Sequence, residues 1–221
     1  MGFLKRVSDN SKPNSLANKL RSKRFAWFKS VIKPLKTPLG ILDVGGTSSY
    51  WEILSAGCLE DFKVETLNLA AEDFNPPVVK SHAGDARDLG QFSDKQFDLV
   101  FSNSVIEHVG DFEQQKRMAR EIIRVGSSYI IQTPNFYFPM EPHFLFPFFQ
   151  FLPRSFRASL VKNFRLGWTE KASNTEEAYR LVDSVTLLKE EELKNLFPDA
   201  LIHREKFLGL TKSLTAYKIA A

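Results

Sequence analysis

The 221-residue sequence holds one cysteine, Cys58, and that scarcity excludes an internal disulfide and any cysteine-rich metal site. Its four histidines show no clustered spacing, so a zinc site is not expected. No run of roughly eighteen or more uncharged apolar residues occurs, which leaves no candidate for a membrane-spanning helix. The opening residues lack the apolar core of a secretory signal: Lys5 and Arg6 lead into Asp9, Asn10, Ser11 and Lys12. Together these absences predict a cytoplasmic protein in a reducing setting.

What is present describes a globular chain. A hydrophobic content of 43% with 25% charged residues, over this length, suits one sizeable core rather than two. The net charge of +4 is unevenly spread. Residues 1–36 carry ten Lys and Arg against Asp9 alone, which leaves twenty basic and twenty-five acidic residues for the rest. Such an arm suits either an anionic lipid surface or simple solvation of one helix face.

Residues 1–14 are polar and without periodicity. From a cap at Ser15 the spacing of Leu16, Leu20, Phe25, Phe28, Val31 and Ile32 predicts a helix over 16–33, stopped by Pro34. Strand and helix patterns then alternate. Strands are expected at Ile41–Val44, Phe62–Leu69, Val78–Ala83, Phe97–Ser102 and from Tyr129 to Pro134. Helices are expected at Ser49–Ala56 and about 111–124. Strands separated by helices pair in parallel through right-handed crossovers, with ligands at their carboxyl ends. A short helix over Lys189–Leu196 precedes two strands, Leu201–Phe207 and Leu214–Ile219. The link between them is too short for a helical crossover, so they should be antiparallel. The expected fold is α/β, a doubly wound, mostly parallel seven-stranded sheet with an antiparallel pair at its C-terminal end. An arm over 1–38 precedes a domain over 39–221, interrupted by an insertion at about 136–185.

Three segments carry the chemistry. Asp43-Val44-Gly45-Gly46-Thr47 closes the first strand with an acid and a tight turn. Gly84-Asp85-Ala86-Arg87-Asp88-Leu89 follows the third. Phe97 through Val109, containing Asn103 and Glu107-His108, forms the fourth strand and its loop. In this order the segments resemble the class I S-adenosylmethionine-dependent methyltransferases, most closely the type 11, ubiquinone-methyltransferase-like branch. The resemblance covers residues 39–135 and the terminal strand pair. It implies a Rossmann-like methyltransferase fold and S-adenosyl-L-methionine as cofactor, held by Asp43, Gly45, Gly46, Thr47, Asn68, Asp85, Ala86 and Asn103. Glycine lets the backbone approach a ligand, and a carboxylate at Asp85 suits the adenine amino group. On the residues alone, Asp43 could instead order its own turn, and Asp85 could cap the segment after it.

The chain departs from that family at two places. Thr47 and Ser49 stand where further glycines are usual, and Asn68 replaces the acid that normally holds the ribose hydroxyls. Rival readings fare worse. Residues 45–50 lack the Gly-x-Gly-x-x-Gly spacing of a dinucleotide dehydrogenase. Ser102-Asn103-Ser104-Val105 lacks the Asn/Asp-Pro-Pro-aromatic motif of nucleic-acid amino-methyltransferases, which argues against a nucleic-acid substrate.

For the catalytic base the candidates are His108 and His143, since histidine titrates in a suitable range. Either could instead order its loop, His143 through Glu141. Nine of the twenty phenylalanines fall between residues 136 and 164, and Arg154, Arg157, Lys162 and Arg165 lie close to them. That composition suits a lid over an apolar acceptor, a lipid–water interface, or the core of a helical subdomain. The expected activity is methyl transfer to a small-molecule or lipid-like acceptor, at oxygen, with an anionic membrane surface as a partner. The rival is a cofactor-binding scaffold without turnover.

Overall fold

The computed structural model describes residues 16–47, 50, 51, 61–71, 73, 75 and 78–220, with backbone alone at 16–21. In chain order the elements are helix α1 (Leu16–Ile32) and strands β1 (Leu39–Val44), β2 (Phe62–Asn68), β3 (Val78–Ala83) and β4 (Phe97–Asn103). Helix α2 (Phe112–Val125) and strands β5 (Gly126–Pro134), β6 (Met140–Glu141) and β7 (Phe146–Pro147) follow. Helices α3 (Arg154–Asn163), α4 (Thr175–Asp183) and α5 (Glu190–Leu196) lead to strands β8 (Leu201–Phe207) and β9 (Leu210–Lys218). The chain divides into a sheet unit, residues 32–135 with 186–221, and a second unit holding the described residues through Val31 together with Phe136–Val185.

The sheet unit is built on seven strands in the order β3-β2-β1-β4-β5-β9-β8. The first five are parallel; β9 runs antiparallel to β5 and β8 antiparallel to β9. Central parallel strands are buried on both faces, so they read as near-continuous apolar runs. Leu39-Gly40-Ile41-Leu42-Asp43-Val44 is such a run, and every residue but Gly40 is buried. Leu42 and Val44 join Val100 and Ile131 in a core closed by Met118, Ile122 and Val125 of α2 and by Leu193 and Leu196 of α5. Successive strand residues face opposite sides. Ile41 and Asp43 therefore belong to the other face, where the Trp51 ring meets Phe101 at 5.7 Å and Phe62 at 6.0 Å.

The parallel strands, the antiparallel tail pair and β3 stand as the sequence predicts, with several strand ends displaced, most of all the starts of β5 and β9. Strand β5 begins at Gly126, directly on the last turn of α2, whose Ile122 carbonyl accepts the Gly126 N–H. A Cβ there would lie 2.7 Å from Val100 Cγ2 and from the Ser128 carbonyl, so only glycine passes from helix to strand without a linker. Strand β9 begins at Leu210, not Leu214, because Leu208 and Gly209 close the hairpin with φ of 50° and 82°. The expected helix at Ser49–Ala56 lies outside the described residues except for Tyr50 and Trp51, which are helical.

Arg124 fixes the long connection between β3 and β4. Its guanidinium donates to the Leu89 and Phe92 carbonyls at 2.9 Å each, and to Glu121 and Asp94. Glu121 in turn accepts the Leu89 N–H at 2.8 Å. The neighbouring guanidinium pulls the Glu121 carboxyl below its ordinary range. Arg124→Ala leaves two carbonyls and a partly buried carboxylate without this donor. It is expected to cost about 2–3 kcal/mol in urea denaturation; a loss under about 0.5 kcal/mol, the level of an ordinary surface substitution, would sink this account.

The second unit has its own small core. Phe144, Phe149, Ala158, Val161, Ala172, Ala178 and Val182 are buried together, with Phe144 stacked on Phe149 at 4.2 Å. Asn174 caps α4 by accepting the Glu177 N–H. Arg154 pairs with Asp183 and lies over the Tyr179 ring. The phenylalanines thus split between roles: two fill the core, while Phe148, Phe151, Phe156 and Phe164 are exposed.

Candidate cofactor site

At the carboxyl ends of β1, β2 and β3, a cleft of about 230 Å³ opens in the sheet unit. Val44 and Gly45, Leu67 to Leu69, and Gly84 to Arg87 supply three sides, and Val105, His108 and Val109 the fourth. The location follows from topology. Strand β1 pairs with β2 on one side and β4 on the other, so the crossovers diverge there and leave a crevice.

The turn after β1 is shaped by close approach. Gly45 has φ of 79°, and a Cβ on it would lie 2.3 Å from Val105 Cγ2. Gly46 is tighter still, since a Cβ there would fall 1.7 Å from Asp43 Oδ2. The Asp43 carboxylate therefore occupies the space that Gly46 leaves open. Its Oδ2 also accepts the Trp51 indole N–H at 2.6 Å. Asp43 is fully buried, and burial pushes its carboxyl up to about 7 despite that hydrogen bond. Asn68 closes the turn from β2, donating its amide N–H to the Gly46 carbonyl at 2.8 Å. A carboxylate in its place would set an acceptor against an acceptor, which gives a physical reason for the amide here.

Across the cleft, Asp85 is held by Arg87. The Arg87 backbone N–H and guanidinium both donate to it, and the guanidinium lowers its carboxyl below the usual range. Arg87 also reaches the Val109 carbonyl at 3.3 Å, tying the acidic loop to the loop after β4. That second loop leaves β4 through Ser104, whose φ is 59°, and continues as a 3₁₀ turn over Ile106–His108. Glu107 in this turn is buried and accepts the Thr133 hydroxyl at 2.9 Å, while its carbonyl accepts the Thr186 N–H. With Glu107 anchored inward, the following His108 is exposed at the cleft.

Of the residues expected at the site, Gly45, Asn68, Asp85, Ala86 and His108 line the cleft. Asp43 and Gly46 lie beneath its first turn. Thr47 is exposed just past that turn, its carbonyl accepting the Tyr50 N–H, and Asn103 ends β4 opposite Gln132. His143 belongs to the second unit, where its Nδ1 lies 2.7 Å from Oε1 of the buried Glu141. Sequence reasoning left Trp51 and Arg87 without roles. Arg87 was within reach of it, because Asp-x-Arg in a turn brings the two side chains together.

Apolar walls from Leu67, Leu69, Ala86, Val105 and Val109, with a few polar groups between them, fit a nucleoside. The turn of Gly45 and Gly46 is a cradle that a Cβ would fill, so backbone can lie against a ligand there. This donor set fits S-adenosylmethionine.

The strand order, with the cleft at its switch point, is that of the Rossmann-like methyltransferase fold. Comparison with known proteins agrees: residues 42–129 match a family model described as a methyltransferase domain. Among curated proteins, an uncharacterized protein of Mycobacterium tuberculosis, Rv1509, is 29% identical over 137 residues, covering 52% of this chain and 43% of that protein. The chain thus spans under half the length of that relative. A solved S-adenosylmethionine-dependent methyltransferase from Aquifex aeolicus is 14% identical, with 99% of this chain and 97% of that one covered and a TM-score of 0.50. The CurJ carbon methyltransferase gives a TM-score of 0.58 at 11% identity, over 98% of this chain and 57% of that chain. At these identities the solved structures speak for the fold. The sheet unit thus has the Rossmann-like methyltransferase fold, and its residues 42–129 are similar to a methyltransferase domain.

Proposed function

We propose that the chain transfers a methyl group from S-adenosylmethionine to an oxygen of a small-molecule or lipid-like acceptor. The observation that carries this reading is the company His108 keeps: an exposed histidine on the same cleft as Gly45, Asn68 and Asp85. When bound, S-adenosylmethionine supplies an electrophilic methyl carbon on a sulfonium. Gly45 and Gly46 admit the ligand's polar arm against backbone, Asn68 offers its carbonyl oxygen to a ribose hydroxyl, and Asp85 with Ala86 receives the adenine side. His108 would take the proton of the acceptor hydroxyl as the methyl group passes from the sulfonium to that oxygen, with the carbon–sulfur bond breaking and S-adenosylhomocysteine leaving. The imidazole is well placed for this because Glu107 pins its turn through Thr133 and Thr186. His143, oriented by the buried carboxylate of Glu141, is the second candidate for the same task.

The acceptor's apolar character is read from the exposed aromatics of the second unit. Rings of Tyr137, Phe136, Phe151 and Phe148 run in successive contact, at 5.3, 5.1 and 6.4 Å between centroids. Together with the basic N-terminal helix, which belongs to the same unit, they suit an anionic membrane surface from which an amphiphilic acceptor is drawn.

Titration calorimetry with S-adenosylmethionine, then turnover on a panel of phenols and lipid quinols, tests the reading. His108→Gln is expected to lower kcat by about 10²–10⁴-fold while cofactor affinity stays within about twofold, as for a general base. No binding at millimolar cofactor would overturn the proposal. Binding without turnover on any acceptor would favour a non-catalytic scaffold.

A further inference from the structure

The β8–β9 hairpin ends in an apolar tip that nothing in the sheet requires. Leu208 is 86% exposed and Leu210 52% exposed, and among the described residues no atom beyond Gly209's chain neighbours lies within 4 Å of where a Cβ on Gly209 would be. Two positive φ values in succession, 50° and 82°, make this a two-residue turn of the kind that favours Asn-Gly. Leucine is a poor choice for its first position. A bulky side chain held in the left-handed region costs about 1–2 kcal/mol, and here the conformation presents it to solvent. A turn optimised for stability alone would carry asparagine or aspartate. Leu208 is therefore better explained by what it touches outside the chain than by anything within it.

The tip's place in the fold gives that contact a purpose. Strand β5 pairs with β9 as far as Pro134 opposite Ser213, and Asn135 continues the contact through the Lys212 and Thr211 carbonyls. Phe207 to Leu210 lie beyond that point, past the carboxyl end of β5. The carboxyl ends of the parallel strands share one edge, so the hairpin tip and the cofactor cleft project from the same side of the sheet. The charges next to the tip along the chain are positive. Lys206 and Lys212 flank it, while the nearest acid, Glu205, is partly buried and accepts the Ser213 hydroxyl.

We infer that the Phe207-Leu208-Gly209-Leu210 tip inserts into an anionic lipid surface, with Lys206 and Lys212 meeting headgroup phosphates. The inference rests on the lipid-like acceptor of the proposed function and assigns the sheet unit its own membrane contact. A projecting wedge of separate side chains suits the disordered headgroup–acyl boundary. A protein partner would more often meet a continuous patch. Lysine stems extend along the apolar wedge while their ammonium groups stay among the phosphates.

Co-sedimentation with vesicles of phosphatidylcholine containing roughly 30% phosphatidylserine tests it. The wild-type chain is compared with Leu208→Asn and with Phe151→Ser/Phe156→Ser. Leu208→Asn supplies the residue the turn prefers, so its melting temperature and its affinity for S-adenosylmethionine should be unchanged or higher. Its vesicle partitioning should fall about tenfold. In a Cys58→Ser background, Leu208→Cys carrying an environment-sensitive nitrobenzoxadiazole label should shift to the blue on the same vesicles. Wild-type chain that stays in the supernatant overturns both membrane contacts and leaves methyl transfer to be judged by calorimetry. Leu208→Asn that sediments like wild type overturns the hairpin inference alone, and loss in the phenylalanine variant then locates the contact in the second unit. No spectral shift on vesicles also overturns it, leaving a protein as the occupant of the tip.

Discussion

Gly45→Ala is expected to cost the chain its cofactor and part of its stability at once. The substitution meets two independent obstacles. Its φ of 79° lies where an L side chain is strained, and the new Cβ would sit 2.3 Å from Val105 Cγ2, 3.1 Å from Cγ1 and 3.3 Å from Cβ. The backbone term is about 1 kcal/mol. The steric term cannot be relieved by a rotamer change, because valine's branched Cβ leaves little freedom at χ1. Either the turn after β1 or the loop after Ser104 must move, and both line the cleft. Together the two should lower stability by about 2–4 kcal/mol. Affinity for S-adenosylhomocysteine should weaken by more than about tenfold, the effect of misplacing the site by even 1.4 kcal/mol. Val105→Ala in the same chain discriminates between the terms. It removes the clash and leaves the strain, so the double variant should recover most of the stability but stay below wild type. Additive losses in the double-mutant cycle would show that the two positions do not meet.

That contact illustrates what could be read from the sequence and what could not. The strands were legible because parallel strands must be apolar on both faces, and runs such as Ile41–Val44 and Phe97–Ser102 have no other economical reading. The antiparallel tail followed from the shortness of its link. The link was nevertheless overestimated, because Leu-Gly carries a weaker turn signal than Asn-Gly. At the site, the sequence marked out Gly45, Asn68, Asp85 and His108, since each sits at or after the end of a strand whose carboxyl end faces the ligand side. It was silent on how these residues engage one another. Asn68 meets the Gly46 carbonyl only because the register sets Val44 beside Leu67, and register is a property of two strands, not one. Asp43 could be read as a ligand contact or as an organiser of its turn. Its carboxylate is enclosed by Gly46 and the Trp51 indole, an arrangement that depends on where a later helix returns.

The enclosure of Asp43 has a consequence in pH. Its carboxyl is raised from 3.8 to about 7, with burial the cause and the Trp51 hydrogen bond opposing it. Below pH 3.8 the group is protonated folded or unfolded and contributes nothing to the dependence. As pH rises from there to about 7, the unfolded chain ionises while the folded chain keeps its proton, so the unfolded state gains. Above about 7 both are ionised and the loss is complete. At about 1.4 kcal/mol for each pH unit, Asp43 lowers stability by about 4 kcal/mol at pH 8 relative to pH 4. Asp43→Asn is nearly the same shape, and its Oδ1 can still accept the Trp51 N–H, but it does not titrate. Urea denaturation at several pH values between 5 and 8 should therefore show the variant gaining on wild type steadily as pH rises, and levelling near 8. The same variant reports on function. If the ionised carboxylate only orders the turn, the neutral amide should keep S-adenosylmethionine affinity within a few fold at pH 8. A loss of a hundredfold there would instead make the charge itself part of the binding site. Parallel stability curves for the two proteins would show that the buried carboxyl finds a compensating partner and that its titration does not set the pH dependence of stability.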